Sequence, residues 1–417
     1  MTNKKTLEQV TEHLEDLLNL PRQIWLFGAG ISRNSGIPLM YDLTNRVEAL
    51  LSDPSAGLNI EDIKQTPDIY KAIKKQLPSS SHIEHSLSQI GDLISLAERK
   101  EDPVVTLGKS KFTADDLRSA HRHIQLAIRH TVECGYKPAQ GKGAEQIGTI
   151  DNPIVSRKYH DNFVNSLFHR RRAGLEQQTV VRFVTTNYDT LLEDALSHAH
   201  IGYVDGFAGG ATGFWDPKNS DRRLKHVTSI SRHTASICKL HGSIDWVSDE
   251  TDVVMRVRSS AIKPEGKEQE LLIYPQATKY QVTQRDPFAT LFSEFRTAMM
   301  SPGQNVLIIC GYSFGDDHVN EEIERALRHG PGNLTVLALC RQATSGPGEL
   351  EENEGLPPVL VKWLQNQSYG DRVIVAGSHG YYRKGIENSI ENQGEELPWW
   401  TFDGITEILS KGAEAIQ

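Results

Sequence analysis

Gln23-Ile-Trp-Leu-Phe27 runs directly into Gly28-Ala-Gly30 and on through Ile31-Ser-Arg-Asn-Ser-Gly-Ile-Pro38, with a helix-compatible stretch from Tyr41 onward. A short apolar run, a glycine turn and a helix in that order form the opening unit of a nucleotide-binding α/β sheet. Gly28 and Gly30 would let backbone amides approach a pyrophosphate at a helix start, because a residue without Cβ permits close approach. The spacing departs from the G-x-G-x-x-G of dehydrogenases: Arg33 stands where the third glycine belongs, and the next glycine is Gly36. On glycine content alone, a plain tight turn between strand and helix reads equally well.

Outward from this unit, buried-strand runs recur at Val180–Val184, Ser236–Leu240, Asn305–Ile309, Leu334–Leu339 and Arg372–Val375. Most end in Gly, Asn, Asp or His, so functional loops are expected at the carboxyl ends of a parallel sheet, where open α/β sheets bind ligands. Between about residues 50 and 175 helical patterns dominate, as in Ile83–Ile90 continuing to Leu93 and Leu96, and in Leu117–Ile128. The expected fold is α/β: a Rossmann-like parallel sheet from 1–50 and 176–390, a mainly helical insertion at 51–175, and a C-terminal tail at 391–417. Trp399, Trp400 and Phe402 make that tail either a docking segment or ordinary packing. Gly202–Asp221 and Arg341–Pro358 read as irregular.

The 417 residues are 38% hydrophobic and 24% charged, the balance of a chain that buries a core, and no apolar run approaches the roughly 20 residues of a membrane span. The N-terminus lacks the blocks of a secretory signal and reads as a helix with Leu7, Val10, Leu14 and Leu17 on one face. A cytoplasmic protein is expected. A net charge of −9 argues against broad nucleic-acid binding, with Arg170, Arg171 and Arg172 as a local exception. Cys134, Cys238, Cys310 and Cys340 stand singly, without C-x-x-C, so neither a zinc ribbon nor a disulfide framework is expected and the thiols should be reduced and mostly buried.

Gly28 through Pro38, G-A-G-I-S-x-x-S-G-I-P, resembles the NAD-binding signature of the sirtuin family. Thr185-Thr-Asn-Tyr-Asp189, Leu240-His-Gly-Ser243 and Gly311-Tyr-Ser-Phe-Gly-Asp-Asp-His-Val-Asn320 resemble further sirtuin motifs in the expected order. The last of these, with Asn-Tyr-Asp, is similar to the divergent bacterial branch found in phage-defence proteins. The resemblance implies NAD as substrate, Gly28, Ala29, Gly30, Ser32, Ser35, Ile37, Pro38, Thr186, Gly311 and Ser313 as its binding residues, and Asn187, Asp189 and His241 as catalytic.

Each of those three side chains suits the chemistry. Loss of nicotinamide from NAD leaves an electron-poor, oxocarbenium-like ribose that water or an acyl oxygen must trap. Asn187 would fix the water or a ribose hydroxyl, Asp189 would bond the carboxamide, and the imidazole of His241 would serve as general base, a side-chain type suited to proton transfer near neutral pH. Asn187 and Asp189 read also as a strand-end turn and an N-cap for Thr190–Ala195, and Asp316 or Asp317 as a cap for Val319–Leu327. His318 beside two aspartates hints at a metal, with capping the plainer reading.

The departures from protein-deacylating sirtuins are a missing zinc-ribbon module, Thr186 where the family has Gln, and Leu39-Met40-Tyr41 in place of Asp-Phe-Arg. They favour an NAD hydrolase over a deacylase or ADP-ribosyltransferase, with a non-catalytic NAD or ADP-ribose sensor as the reading from another class. No metal is expected. By resemblance the chain is nearest the stand-alone Sir2 subunit that works with a HerA-type ATPase, and a homo-oligomer is expected.

Overall fold

The computed structural model describes residues 6–53, 63–139, 141, 143–173, 179–230, 233–248, 253–258, 270–273, 286–346, 349–385, 387–388, 390, 396–412 and 414. Eight strands, numbered along the chain, form the main sheet: β1 (Gln23–Phe27), β2 (Thr179–Thr185), β3 (Gly202–Val204), β4 (His233–Lys239), β5 (Asn305–Cys310), β6 (Leu334–Cys340), β7 (Val373–Gly377) and β8 (Tyr381–Arg383). Their order is β8-β7-β6-β5-β1-β2-β4-β3, and every pairing is parallel except β7 with β8. All five residues of β1 and all six of β5 are buried, which is why these strands read as continuous apolar runs and not as alternation.

The register decides the site. Phe27 pairs with Thr185 on one side and Cys310 on the other, and Lys239 pairs with Thr185. Four adjacent strands therefore end level, and the loops after β5, β1, β2 and β4 leave from one edge.

The helices are α1 (Leu7–Leu18), α2 (Met40–Ser52), α3 (Thr66–Lys74), α4 (Ile83–Glu98), α5 (Ala114–Cys134), α6 (Lys158–Ala173), α7 (Leu191–His198), α8 (Ser220–Ile230), α9 (Phe288–Met299), α10 (Asp317–His329), α11 (Pro358–Leu364) and α12 (Phe402–Lys411). Thr6 and Gln9 close a capping box on α1, and Val10, Leu14 and Leu17 bury the face read from the sequence. Helices α2 to α5 build a separate apolar cluster around Val47, Leu50, Ile90 and Leu117, which closes against Tyr188, Leu191, Ile244 and Val247.

Two further segments pack on the main sheet. Helix α6, counted with the helical segment, lies on the main sheet: Phe163 stacks edge-on against Trp25 and Phe27. The C-terminal aromatic segment belongs to the same core. Trp399 is fully buried and donates from Nε1 to the Gly377 carbonyl at 2.7 Å, and Phe402 meets Phe163 at 4.9 Å between centroids. Burying rings of this size stabilises by ~1.5–3 kcal/mol each, so this stretch is a packing element of the domain.

A second, five-stranded antiparallel sheet was not foreseen; its order is 270–273, 242–248, 254–257, 212–215 and 207–209. Its glycines hide it from a periodicity reading, yet Gly209, with φ at +112°, makes the tight turn between two of its strands. The glycine-rich stretch read as irregular is thus largely paired backbone. Among the described residues no helix is long and apolar enough to cross a membrane. All four cysteines are free and buried, and burial pushes the thiols of Cys310 and Cys340 up to about 12. They stay protonated at neutral pH.

Candidate active site

The glycine loop is packed against the loop after β5. A Cβ on Gly28 would lie 2.6 Å from the Gly311 carbonyl oxygen, and one on Gly30 would lie 2.7 Å from the Gly311 Cα. The Gly28 amide donates to the Cys310 carbonyl at 3.2 Å, and the Gly30 amide to that of Gly311 at 2.9 Å. These glycines let the two loops approach each other closely. Ala29 and Ser313 are exposed on the same rim, whereas Ile37 and Pro38 are buried beneath it. Thr186 anchors the next loop by donating its amide to the Phe27 carbonyl at 3.0 Å.

Under that rim lies a buried polar cluster. Ser32 donates to Asp189 Oδ2 at 2.8 Å and accepts from Asn187 Nδ2 at 3.2 Å; Asp189 Oδ1 accepts from the Leu191 amide at 3.1 Å. Asp189 therefore holds the first amide of α7, just ahead of its N-cap Thr190, and anchors Ser32, with lone pairs left for a further donor. Asn187 is 8% exposed, and its Oδ1 is buried with no hydrogen-bond partner among the described residues. A buried carbonyl oxygen without a donor is costly, and a ligand hydroxyl or water would fill it. Ser35 Oγ lies 3.3 Å from Nδ1 of His160, a residue of α6 that sequence reading did not single out.

His241 sits where the chain passes from the parallel to the antiparallel sheet, a turn that Gly242 makes with φ at +83°. Its Nε2 lies 2.7 Å from Asp316 Oδ2, and both side chains are buried. With the carboxylate accepting from Nε2–H, the lone pair lies on Nδ1, the atom that would take a proton. The other Asp316 oxygen accepts from the amides of His318 and Val319, so Asp316 is both the N-cap of α10 and the orienting partner of His241. The sequence foresaw only the cap. The loop that presents Asp316 is fixed: Phe314 is held at φ +60°, a strained value for a bulky residue, by Asn320 Nδ2 donating to its carbonyl at 2.8 Å. Asn in place of Asp316 keeps a capping oxygen and removes the charge behind the imidazole. Asp316→Asn is expected to lower turnover ~10²-fold or more while the melting temperature barely moves; a fully active variant would limit Asp316 to capping.

Lys239 is the second residue the sequence did not flag. At 1% exposure, its Nζ donates to the carbonyls of Asp189 and, at 3.5 Å, Tyr188, and pairs with Glu193 at 3.0 Å. All three ammonium donors are used, and two of them hold the backbone between Asn187 and α7.

Burial holds the His160 imidazole below its ordinary value, against the opposing pull of Asp189 and Asp161, and His82 and His130 are lowered the same way. The unfolded chain then binds the extra protons first. Stability is expected to be level above pH 6.5, the ordinary imidazole value, and to fall as pH drops through and below it. His160→Gln should flatten that fall in a melting-temperature series from pH 8 to 5; an unaltered slope would remove His160 from the account.

None of the curated proteins matches the chain. Among solved structures, a mutant Sir2 homologue in complex with 2′-O-acetyl ADP-ribose is similar at a TM-score of 0.32 and 14% identity, covering 79% of this chain and 84% of that one. The family model that matches is that of the SIR2-like domain, over residues 181–357, the stretch from β2 to the loop before α11 that brings Asn187, His241 and Asp316 together.

Proposed function

We propose that the protein is an NAD hydrolase that cleaves the nicotinamide–ribose bond to give nicotinamide and ADP-ribose. The observation that carries this reading is the buried His241–Asp316 pair in the same loop cluster as an Asn187 whose Oδ1 has no hydrogen-bond partner among the described residues. NAD supplies the labile bond to a cationic leaving group. His241, held by Asp316, takes the proton of water or of a ribose hydroxyl, and Asn187 Oδ1 accepts from the hydroxyl it orients. Ser32 keeps the Asn187 amide turned so that this oxygen points away from its own hydrogen bond. Ala29 and Ser313, exposed at the rim, would meet the rest of the dinucleotide.

Incubating the protein with NAD, with and without an acetylated peptide, tests the proposal. Nicotinamide release independent of peptide supports it; peptide-dependent release would mean a deacylase, and binding without turnover a sensor. Chelation of metals is expected to leave the rate unchanged, which the same assay with EDTA checks.

We further infer a role as the NAD-depleting effector of a bacterial antiviral system, self-assembled and restrained until a HerA-type ATPase or another signal acts on it. An unrestrained hydrolase would exhaust its host, and a partner that prefers the active form supplies ~1.4 kcal/mol for each tenfold change in the ratio of forms. Light scattering, with turnover measured alone and with the neighbouring gene's product, tests this. A monomer at full rate, indifferent to that partner, would point to housekeeping.

A further inference from the structure

Helix α4 sets a buried carboxylate behind the loop that carries Asn187 and Asp189. Glu84, in its first turn, is 3% exposed, and Oε1 accepts from the Tyr188 hydroxyl at 2.5 Å. Its second oxygen, Oε2, is buried with no hydrogen-bond partner among the described residues. Among the described residues no lysine or arginine lies at ion-pair distance from it. Tyr188 stands between Asn187 and Asp189 in the chain, and its ring lies 6.5 Å from that of His241. Its carbonyl accepts from Ser243 Oγ at 3.2 Å and from the Ile244 amide at 3.0 Å, so the phenol is held in place.

A buried carboxylate with one donor and no cation is an expensive arrangement. The amino end of α4 relieves it only modestly, since a helix dipole acts weakly beside the loss of a carboxylate's hydration. His82, two residues earlier, gives little: burial holds its imidazole below the ordinary value and favours the neutral form. His85 lies against His82 at 4.0 Å between centroids, the rings tilted by 54°, and among the described residues forms no ion pair with Glu84.

We propose that Glu84 is a specificity-determining residue of the site, the counter-charge to a cationic ring in the ligand, namely the pyridinium of an oxidised nicotinamide dinucleotide. The inference rests on the NAD reading above and deepens it. An oxidised ring carries a full positive charge, the reduced ring carries none, and ADP-ribose lacks the ring. Glu84 therefore separates the oxidised from the reduced dinucleotide by charge. Because the charge leaves the ring as its bond to ribose breaks, the carboxylate acts on binding more than on the chemical step, and Glu84→Gln raises KM more than it lowers kcat.

The test is calorimetric binding of three probes: carba-NAD+, which keeps the pyridinium and has no cleavable glycosidic bond, NADH, and ADP-ribose. Wild-type protein is expected to bind carba-NAD+ about tenfold or more tighter than NADH, and Glu84→Gln to bring that ratio near unity with ADP-ribose affinity held within about twofold. A wild-type ratio near unity, or an unchanged ratio in Glu84→Gln, overturns the proposal. Tyr188→Phe keeps the carboxylate and removes only its hydrogen bond, so it should retain the preference; loss of the preference there would assign the reading to the phenol and overturn the proposal even where Glu84→Gln does not fold. A wild-type protein that binds none of the probes ends the NAD reading itself, whereas binding of all three without preference ends only the role of Glu84.

Discussion

His241→Ala and Asn187→Ala are each expected to abolish nicotinamide release in a protein that still folds. His241 is an imidazole in the loop cluster backed by a buried carboxylate, and removing a positioned base commonly costs ~10²–10⁴ in rate. Asn187 acts differently. Its amide nitrogen is committed to Ser32, and its oxygen is an acceptor that no donor among the described residues fills. Alanine there removes the orienting group and leaves Ser32 its bond to Asp189, so the fold should persist. Single-turnover assays at saturating NAD, with circular dichroism as a check on folding, decide it. A folded variant of either kind with near wild-type turnover would show that the roles are misassigned.

Lys239→Met is expected to be the most damaging change to stability. The methionine matches the aliphatic stem but leaves Glu193, 4% exposed in its side chain, without its paired ammonium and takes that donor from the Asp189 carbonyl. Breaking a buried pair by removing one partner costs ~3–5 kcal/mol, a large part of a domain's total stability. The urea midpoint should fall by the corresponding amount. Turnover should fall in any protein that remains folded, because the same ammonium holds the backbone behind Asn187. A Lys239→Met protein with wild-type midpoint and rate would mean that the pair carries neither stability nor geometry.

Much of the architecture was legible along the chain. The runs at Gln23–Phe27, Val180–Val184, Asn305–Ile309 and Leu334–Leu339 are strands of the parallel sheet, and the periodic stretches at Ile83–Leu96 and Leu117–Ile128 are α4 and α5. Burial on both faces writes a continuous apolar run and burial on one face writes a helical period, so these elements declare themselves locally. The antiparallel sheet did not, because the strands at 207–209 and 212–215 are short and carry glycine, and 212–215 finds its second partner only at 254–257, about 40 residues on. The C-terminal aromatics showed that something is buried against them but not what: whether Trp399 meets another chain or the Gly377 carbonyl is not written in its neighbours.

The candidate site divides along the same line. Motif loops at 28–38, 185–189, 240–243 and 311–320 were visible because their residue types and spacing are local properties, and a sheet whose strands end level brings such loops together. What each side chain does there was decided by tertiary structure alone. Asp316 reads as a cap from its position before α10, and becomes the partner of His241 only because β4 and β5 flank the same central pair of strands, 75 residues apart in sequence. Glu84 and Tyr188 are 104 residues apart, in a helix without a motif and a loop with one. Gly28 and Gly30 announce that a backbone must come close, but not that it is the chain's own Gly311. The sequence by itself determined the strands, the helices and the loops able to carry chemistry, since propensity, periodicity and turn geometry act between near neighbours. Only the register of the parallel strands and the packing of the helical layer decided which buried polar groups meet, because hydrogen bonds between distant residues depend on positions that no local pattern encodes.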